Sequence, residues 1–271
     1  MTANGIGMRF KDKVVIVTCS NCGIDQATAV LFGRDGAKVT IHGSEESDLK
    51  STVRLMLNAG VSDEDILVVQ GAIDNDNTLH NLVERTVAKF GRLDILVNNS
   101  GGIPQQKNSH NDHDVDNFDY LFNINLKSIT TLTRLAMPHL ELTKGSVVNV
   151  SSFGGQRAFS DYAYYQNTKT ALDNYCRNAA IKYVKKGIRV NNVNPGFITA
   201  RSAADGDKKL NKFESNWIKN HVPMGRGGTA EEIAKVIAFL ASDEASYVTG
   251  ACLVADGGAS IFTKPADFFN A

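Results

Sequence analysis

The chain has 271 residues, of which 42% are hydrophobic and 21% charged, and its 29 basic and 29 acidic residues give zero formal net charge. This composition excludes a disordered or fibrous protein, and the charge balance provides no global basic field for nucleic acid or an anionic membrane. No run reaches the roughly 18 apolar residues of a membrane span, and the N-terminal segment lacks the apolar region of a signal peptide. With few cysteines (Cys19, Cys22, Cys176 and Cys252), we expect a reduced cytoplasmic protein.

Short apolar runs alternate with segments of helical periodicity along the chain. In order, the pattern predicts a strand over 13–18, a helix over 25–34, a strand over 38–41, a helix over 45–59, a strand over 66–69, a helix over 78–90, a strand over 93–97, a helix over 117–140, a strand over 146–150, a helix over 161–185, a strand over 188–193, a helix over 231–240 and a strand over 251–254. This alternation predicts a single-domain α/β fold with a doubly wound parallel sheet. Irregular loops are predicted over 101–116 and 200–222, at the ligand-binding edge of such a sheet.

Several short motifs follow the ends of the predicted strands. Residues 18–25 read TCSNCGID, residues 98–101 read NNSG, and residues 194–196 read NPG. Asn125 lies in FNINLKS, Ser152 follows the fifth strand, and Tyr165 and Lys169 form a YxxxK motif thirteen residues after Ser152. In their order, spacing and strand context, these motifs resemble the short-chain dehydrogenase/reductase family over nearly the whole chain.

The YxxxK residues carry the chemistry that this resemblance implies. Tyr165 and Lys169 share one face of a helix, and a nearby ammonium group is expected to lower the phenol's usual pKa of about 10. By resemblance, Tyr165 transfers a proton at the substrate oxygen while a nicotinamide transfers the hydride. Ser152 then binds that oxygen, Lys169 also holds the nicotinamide ribose, and Asn125 supports a proton relay. The implied activity is NAD(P)(H)-dependent interconversion of an alcohol and a carbonyl compound.

The resemblance also implies an organisation and a set of binding residues. It predicts one Rossmann-like domain over 1–271, with a cofactor-binding half at 11–100 and a catalytic and substrate-binding half at 101–271. A small alcohol or ketone is the implied substrate, and helices 117–140 and 161–185 would form a homodimer or homotetramer. The predicted cofactor-binding residues are Ser20, Asn21, Gly23, Ile24, Ser44, Ala72, Ile73, Asn99, Gly101, Tyr165, Lys169, Pro195, Gly196 and Ile198.

The phosphate-binding turn departs from the family pattern TGxxxGxG. Cys19 replaces its first glycine and Asp25 its third, whereas Gly23 is kept. A Cβ at the first position is expected to strain the turn, although an acid in the first turn also stabilises an empty helix. A carboxylate about 5 Å from a phosphate charge, at an effective dielectric of about 20, would oppose binding by roughly 3 kcal/mol, or about a hundredfold in affinity.

Two further departures concern the adenosine end of the cofactor. After the second strand, His42-Gly43-Ser44 contains neither the Asp typical of NAD binding nor the Arg typical of NADP binding. The absent acid leaves room for a 2′-phosphate, so NADP(H) is slightly preferred over NAD(H), with Ser44 as a donor. Ala72 stands where the family commonly has an Asp that contacts adenine.

Other functions and sites remain open at this point. Cys19, Asp25 and Ala72 are compatible with a non-catalytic relative that has lost cofactor affinity, and Cys19 with Cys22 could form a redox-sensing thiol pair. No metal site is expected, because the CxxC lacks a second ligand pair and the loop residues His110, Asp112, His113 and Asp114 are assigned no role. The aromatic and apolar residues that could line the substrate pocket, or equally belong to the core, are Phe153, Phe159, Tyr162, Phe213, Trp217 and Ile218.

Overall fold

The computed structural model describes residues 8–99, 101, 115–158, 162–199 and 212–262. Its strands are β1 (Val14–Val17), β2 (Lys38–Gly43), β3 (Ile66–Gln70), β4 (Ile95–Asn98), β5 (Ser146–Val150), β6 (Arg189–Pro195) and β7 (Cys252–Ala255). Its helices are α1 (Gly23–Arg34), α2 (Glu46–Asn58), α3 (Asp76–Phe90), α4 (Val115–Phe122), α5 (Ser128–Thr143), α6 (Ala163–Tyr183), α7 (Lys212–His221) and α8 (Ala230–Ala241). Every predicted strand and helix is confirmed, with ends shifted by a few residues.

The strands form one parallel sheet in the order β3-β2-β1-β4-β5-β6-β7. This order confirms the doubly wound, Rossmann-like fold, because the chain builds outward from β1 in one direction and from β4 in the other. The order reverses between β1 and β4, and ligands of such sheets bind in the crevice beyond the carboxyl ends at that point. The fold therefore directs attention to the residues that follow β1, β4, β5 and β6.

Helices cover both faces of the sheet, and the side chains of β1 pack alternately against the helices on each face. Val15 and Val17 pack in a cluster that includes Phe32 of α1 and Ile237 of α8. Ile16 points to the opposite face, in a cluster built with α3, α5 and α6. Because alternate side chains are buried on opposite faces, the strand is a continuous apolar run rather than a polar–apolar alternation.

Two segments differ from the sequence prediction. The predicted helix 117–140 consists of α4, a π-helical turn over Asn123–Lys127, and α5, so it starts earlier and ends later than predicted. A π turn inserts a residue without changing the apolar content, which explains why periodicity did not reveal it. The predicted loop 200–222 contains α7, whose Trp217 and Ile218 pack in a small apolar cluster. Tertiary packing, rather than a long apolar face, stabilises this short polar helix.

Within the described ranges, no helix is both long enough and apolar enough to cross a bilayer.

Candidate functional site

The end of β5 and the start of α6 bring three predicted catalytic residues together. Ser152 is buried directly after β5, and its Oγ accepts a hydrogen bond from the Gly154 N–H at 3.1 Å. Tyr165 is hydrogen-bonded to Ser152, and Lys169 Nζ lies 5.7 Å from the centre of the Tyr165 ring. A hydroxyl, a phenol and an amine therefore share one site at the carboxyl edge of the sheet.

The ionisation of the phenol differs from the sequence prediction. Burial raises the pKa of Tyr165, and the hydrogen bond to Ser152 is the opposing influence. The expected lowering by Lys169 is wrong for this structure, in which Lys169 Nζ donates to the Val150 carbonyl at 2.9 Å. Tyr165 therefore carries its proton at neutral pH and has one to donate to a carbonyl oxygen, although the raised pKa makes it a weaker acid than a free phenol.

The amine of Lys169 is itself perturbed by its surroundings. Burial lowers its pKa to about 8, and the negative charge of Asp173 is the largest opposing influence. Asp25 and Cys19 act in the same direction as Asp173. The protonation of Lys169 therefore depends on acidic groups that lie around it.

Asn125 lies in the π turn and is fully buried. Its Nδ2 donates to Thr168 Oγ1 at 3.1 Å, while Oδ1 has no hydrogen-bond partner among the residues that the structure describes. At Gly101, a Cβ would lie 2.7 Å from Lys169 Nζ and 3.3 Å from Asn125 Oδ1. A free acceptor and an amine therefore border a space that only a glycine leaves open, which fits the hydroxyl groups of a ribose.

Buried asparagines connect the adjacent strands β4, β5 and β6 to α6. Asn98 Nδ2 donates to Asn149 Oδ1 at 2.8 Å, and Asn149 Nδ2 donates to Asn192 Oδ1 at 2.8 Å. Asn192 Nδ2 then donates to Asp173 Oδ1 at 2.9 Å. The chain of amides ends on a carboxyl group that is only 2% exposed.

Asp173 is a site residue that the sequence analysis missed. Its Oδ2 accepts from Asn194 Nδ2 at 2.8 Å, and the same amide donates to the Ser152 carbonyl at 2.8 Å. The spacing of four residues after Lys169 was the available signal, because it places Asp173 on the same face of α6. Asp173 thus raises the pKa of Lys169 and, through the Asn194 amide, is linked to the backbone carbonyl of Ser152.

The turn after β1 holds Cys19 in an unusual conformation. Its φ is 56°, in the left-handed region that glycine adopts without penalty. The Cys19 N–H donates to His42 Nδ1 at 3.1 Å, which ties the turn to the end of β2. Burial lowers the pKa of His42 to about 4, so this ring is neutral and can accept the bond. The structure therefore supports the predicted strain at the first glycine position.

Replacing Cys19 by glycine is expected to stabilise the fold by about 0.5–1 kcal/mol. A left-handed conformation costs a non-glycine residue about 1–2 kcal/mol, and the greater freedom of glycine in the unfolded chain offsets about 0.4–1 kcal/mol of the relief. Urea denaturation under reducing conditions measures the change. Cys19→Ala is the matched control, since it removes the thiol but keeps the Cβ. Equal stability of the two variants would contradict the strain.

Asp25 occupies a different environment from the one that the sequence suggested. The side chain lies at the start of α1 and is 5% exposed, and Oδ1 has no partner among the described residues. Burial raises the pKa of Asp25 well above its usual value, while the charge of Lys169 opposes that effect. The predicted carboxylate–phosphate repulsion assumed an ionised side chain, and burial favours the neutral form instead.

The remaining predicted cofactor residues lie at the carboxyl edge of the sheet. Grouped by the preceding strand, they are Ser20, Asn21, Gly23 and Ile24 after β1, Ser44 after β2, Ala72 and Ile73 after β3, Asn99 and Gly101 after β4, and Pro195, Gly196 and Ile198 at and after the end of β6. Gly23 has a φ of 59°, in the left-handed region that glycine adopts without penalty. These residues therefore all follow strands at one edge of the sheet, and Asp25 lies in the first turn of α1 beside them.

The predicted pocket residues are only partly described. Trp217 packs against Phe153 and Phe197, with ring centres 6.2 Å and 5.7 Å away, and so forms an apolar wall beside Ser152. Ile218 is buried in the same cluster, whereas Tyr162 is 44% exposed. Residues outside the described part, or with side chains outside it, are His110, Asp112, His113, Asp114, Phe159 and Phe213. Among the described residues, no three His, Cys, Asp or Glu side chains are grouped as metal ligands.

Comparisons with known proteins identify the family of the chain. A family model described as enoyl-(acyl carrier protein) reductase, one of the short-chain dehydrogenase/reductase models, matches residues 19–260. The 3-oxoacyl-[acyl-carrier-protein] reductase FabG of Thermotoga maritima is 34% identical, covering 93% of this chain and 99% of the relative. The apo glucose dehydrogenase structure of Caenorhabditis elegans is 41% identical with a TM-score of 0.83, covering 94% and 100% of the two chains.

A second C. elegans structure, a short-chain dehydrogenase/reductase of unknown function with cofactor, is 36% identical, with a TM-score of 0.86 and coverage of 94% and 97%. These relatives lend no support to a thiol sensor or a non-catalytic role. The motifs, the sheet order, the grouped Ser, Tyr and Lys side chains, and the match over most of the chain lead to one conclusion. The chain belongs to the short-chain dehydrogenase/reductase family of oxidoreductases.

Proposed function

We propose that the protein interconverts an alcohol and a carbonyl compound with a nicotinamide dinucleotide, using Tyr165 as the acid/base. The observation that carries the proposal is the shared site of Ser152, Tyr165 and Lys169, next to the free acceptor of Asn125 and the gap at Gly101. When bound, the cofactor supplies or accepts the hydride. The family's generic use of NAD(P) supports this choice of cofactor.

Each side chain of the site has a separate role in the proposed reaction. Tyr165, protonated because burial raises its pKa, donates its proton to the carbonyl oxygen in the reductive direction. The Ser152 hydroxyl, already hydrogen-bonded to that phenol, orients the same oxygen. Lys169 and Asn125 hold ribose hydroxyls in the gap beside Gly101, and the Thr168 hydroxyl fixes the Asn125 amide. The apolar wall of Phe153, Phe197 and Trp217 favours a small substrate with an apolar portion.

The proposal also covers the preferred cofactor, the oligomeric state, the cellular compartment and the domain organisation. NADP(H) is slightly preferred, because residues 42–44 lack an acid and Ser44 is exposed after β2. A homodimer or homotetramer would assemble through the helical segments 115–143 and 163–183. The low number of cysteines in a chain with a large core supports a reduced, cytoplasmic setting. The single-domain organisation over 1–271, with its two halves, is proposed on the same family grounds.

Dinucleotide binding tests the proposal directly. NADPH or NADH at about 100 times its dissociation constant is expected to stabilise the fold by about 2.7 kcal/mol, measured as a rise in Tm. We expect Lys169→Met to lose this shift, because the amine beside Gly101 is removed. Lys182→Met, an exposed lysine of the same helix, is the matched control and should keep the shift. Failure of both nucleotides to raise the Tm at about millimolar concentration would contradict the proposed function.

A further inference from the structure

The first turn of α1 combines an anion-binding helix end with a buried acid. Asp25 is the third residue of α1, and its carboxyl group accepts a hydrogen bond from its own backbone N–H. N–H groups in the first turn of a helix lack intrahelical partners and attract anions. The other carboxyl oxygen, Oδ1, is buried and has no partner among the described residues. Asp25 therefore lies in the first turn of α1, at the position of the third glycine of the family's phosphate-binding pattern.

Lys169 on α6 is the charged group that acts on Asp25. The other titratable side chains that the surrounding elements contribute are Cys19 after β1, His42 on β2, Asp48 on α2 and Glu232 on α8. Cys19 acts on the same lysine, and His42 bridges the Cys19 N–H and the Gly71 carbonyl. Asp48 accepts from Asn21 at 3.5 Å, and Glu232 is bound by Arg226 and Thr229. The described residues thus offer Asp25 one basic neighbour, the lysine that the catalytic site also needs.

We propose that a dinucleotide phosphate binds at this turn only when Asp25 carries a proton, so that cofactor binding takes up a proton from solvent. An ionised Asp25 would face the phosphate with a like charge and would draw Lys169 away from the ribose. A protonated carboxyl group removes that charge and can donate its O–H to a phosphate oxygen. This inference rests on the proposed function and concerns the same site.

The proton balance gives the direction of the pH dependence. Burial already raises the pKa of Asp25 in the free protein, and a bound phosphate raises it further through like charge. Between these two pKa values, the free protein is ionised and the complex is protonated, so binding consumes one proton. Affinity therefore falls as pH rises through this range, by up to about tenfold per pH unit.

The test measures dinucleotide affinity across pH in the full-length protein and two variants. NADH is used because it lacks a 2′-phosphate that would titrate in the same range. Its dissociation constant is followed by nicotinamide fluorescence between about pH 5.5 and 8.5, and proton uptake is measured by calorimetry in buffers of different ionisation enthalpy. The variants Asp25→Asn, which is isosteric and cannot ionise, and Asp25→Gly, which restores the family residue, are each checked for folding by thermal unfolding.

For the natural protein, we expect the NADH affinity to fall steeply as pH rises and about one proton to be taken up on binding. Both variants are expected to show a flatter dependence of affinity on pH and to take up fewer protons. The contribution of His42 is common to all three proteins. The charge of Asp25 also raises the pKa of Lys169, so the difference between the proteins reports the coupled pair Asp25 and Lys169. Parallel profiles with equal proton uptake would overturn the inference and leave the proposed function intact. If none of the three proteins binds NADH or NADPH at any pH, the proposed function fails, and the inference fails with it.

Discussion

Replacing Tyr165 by phenylalanine is expected to lower kcat for carbonyl reduction by about 10²- to 10⁴-fold, the usual contribution of a positioned acid or base. The phenol is the group hydrogen-bonded to Ser152, and burial raises its pKa, so it holds the proton that the substrate oxygen must receive. Phenylalanine keeps the ring and removes only this hydroxyl. The rate is measured as nicotinamide absorbance loss at saturating cofactor, with any ketone or aldehyde that the natural protein reduces.

Tyr164→Phe is the matched control, because Tyr164 is the residue before Tyr165 in α6 and its ring packs edge-on against Phe118 at 5.3 Å. Its position is followed four residues later by Thr168 rather than a lysine. We expect near-natural kcat for this variant and unchanged NADPH affinity for both variants. A Tyr165→Phe protein that retained more than about a tenth of the natural kcat would assign proton transfer to another group.

The fold could be predicted from the sequence because the strands of a parallel sheet are buried on both faces. Runs such as Val14–Val17 then stand out as short apolar segments between helical ones. The π turn around Asn125 and the helix α7 could not be predicted in this way. The π turn is a change of hydrogen bonding rather than of composition, and α7 depends on packing of Trp217 against residues distant in sequence.

The site was predicted in its parts but not in its electrostatics. Strand-end motifs placed Ser152, Tyr165 and Lys169 together, as the structure does. The YxxxK motif indicates only the charge of the nearest lysine and therefore predicts the wrong direction for the Tyr165 pKa. Desolvation dominates the behaviour of both Tyr165 and Asp25, and desolvation depends on what the rest of the chain packs around a group. A linear motif does not contain that information.

Replacing Asp173 by asparagine is expected to destabilise the fold by about 2–3 kcal/mol, since a buried donor loses its acceptor. The carboxyl group accepts from Asn192 and Asn194, so an amide would place its NH₂ group against one of them. The charge of Asp173 also raises the pKa of Lys169, which burial lowers to about 8. Without that charge the pKa of Lys169 falls further. Urea denaturation measures the stability loss, with Asp119→Asn on the exposed face of α4 expected to change it by less than about 0.5 kcal/mol.

The pH profile separates a positioning role of Asp173 from a purely structural one. The profile of kcat/KM reports the ionisation of the free enzyme, and the protonated form of Lys169 is the one that supports activity. Activity is therefore lost as pH rises through the pKa of Lys169, and Asp173→Asn should move this alkaline limb to lower pH. A variant that is only destabilised has the alkaline limb of its kcat/KM profile at the same pH as the natural protein. Because Asn194 links Asp173 to the Ser152 carbonyl, Asp173→Asn should lower kcat more than it raises KM, whereas Asp173→Glu, which keeps the charge, should restore the limb.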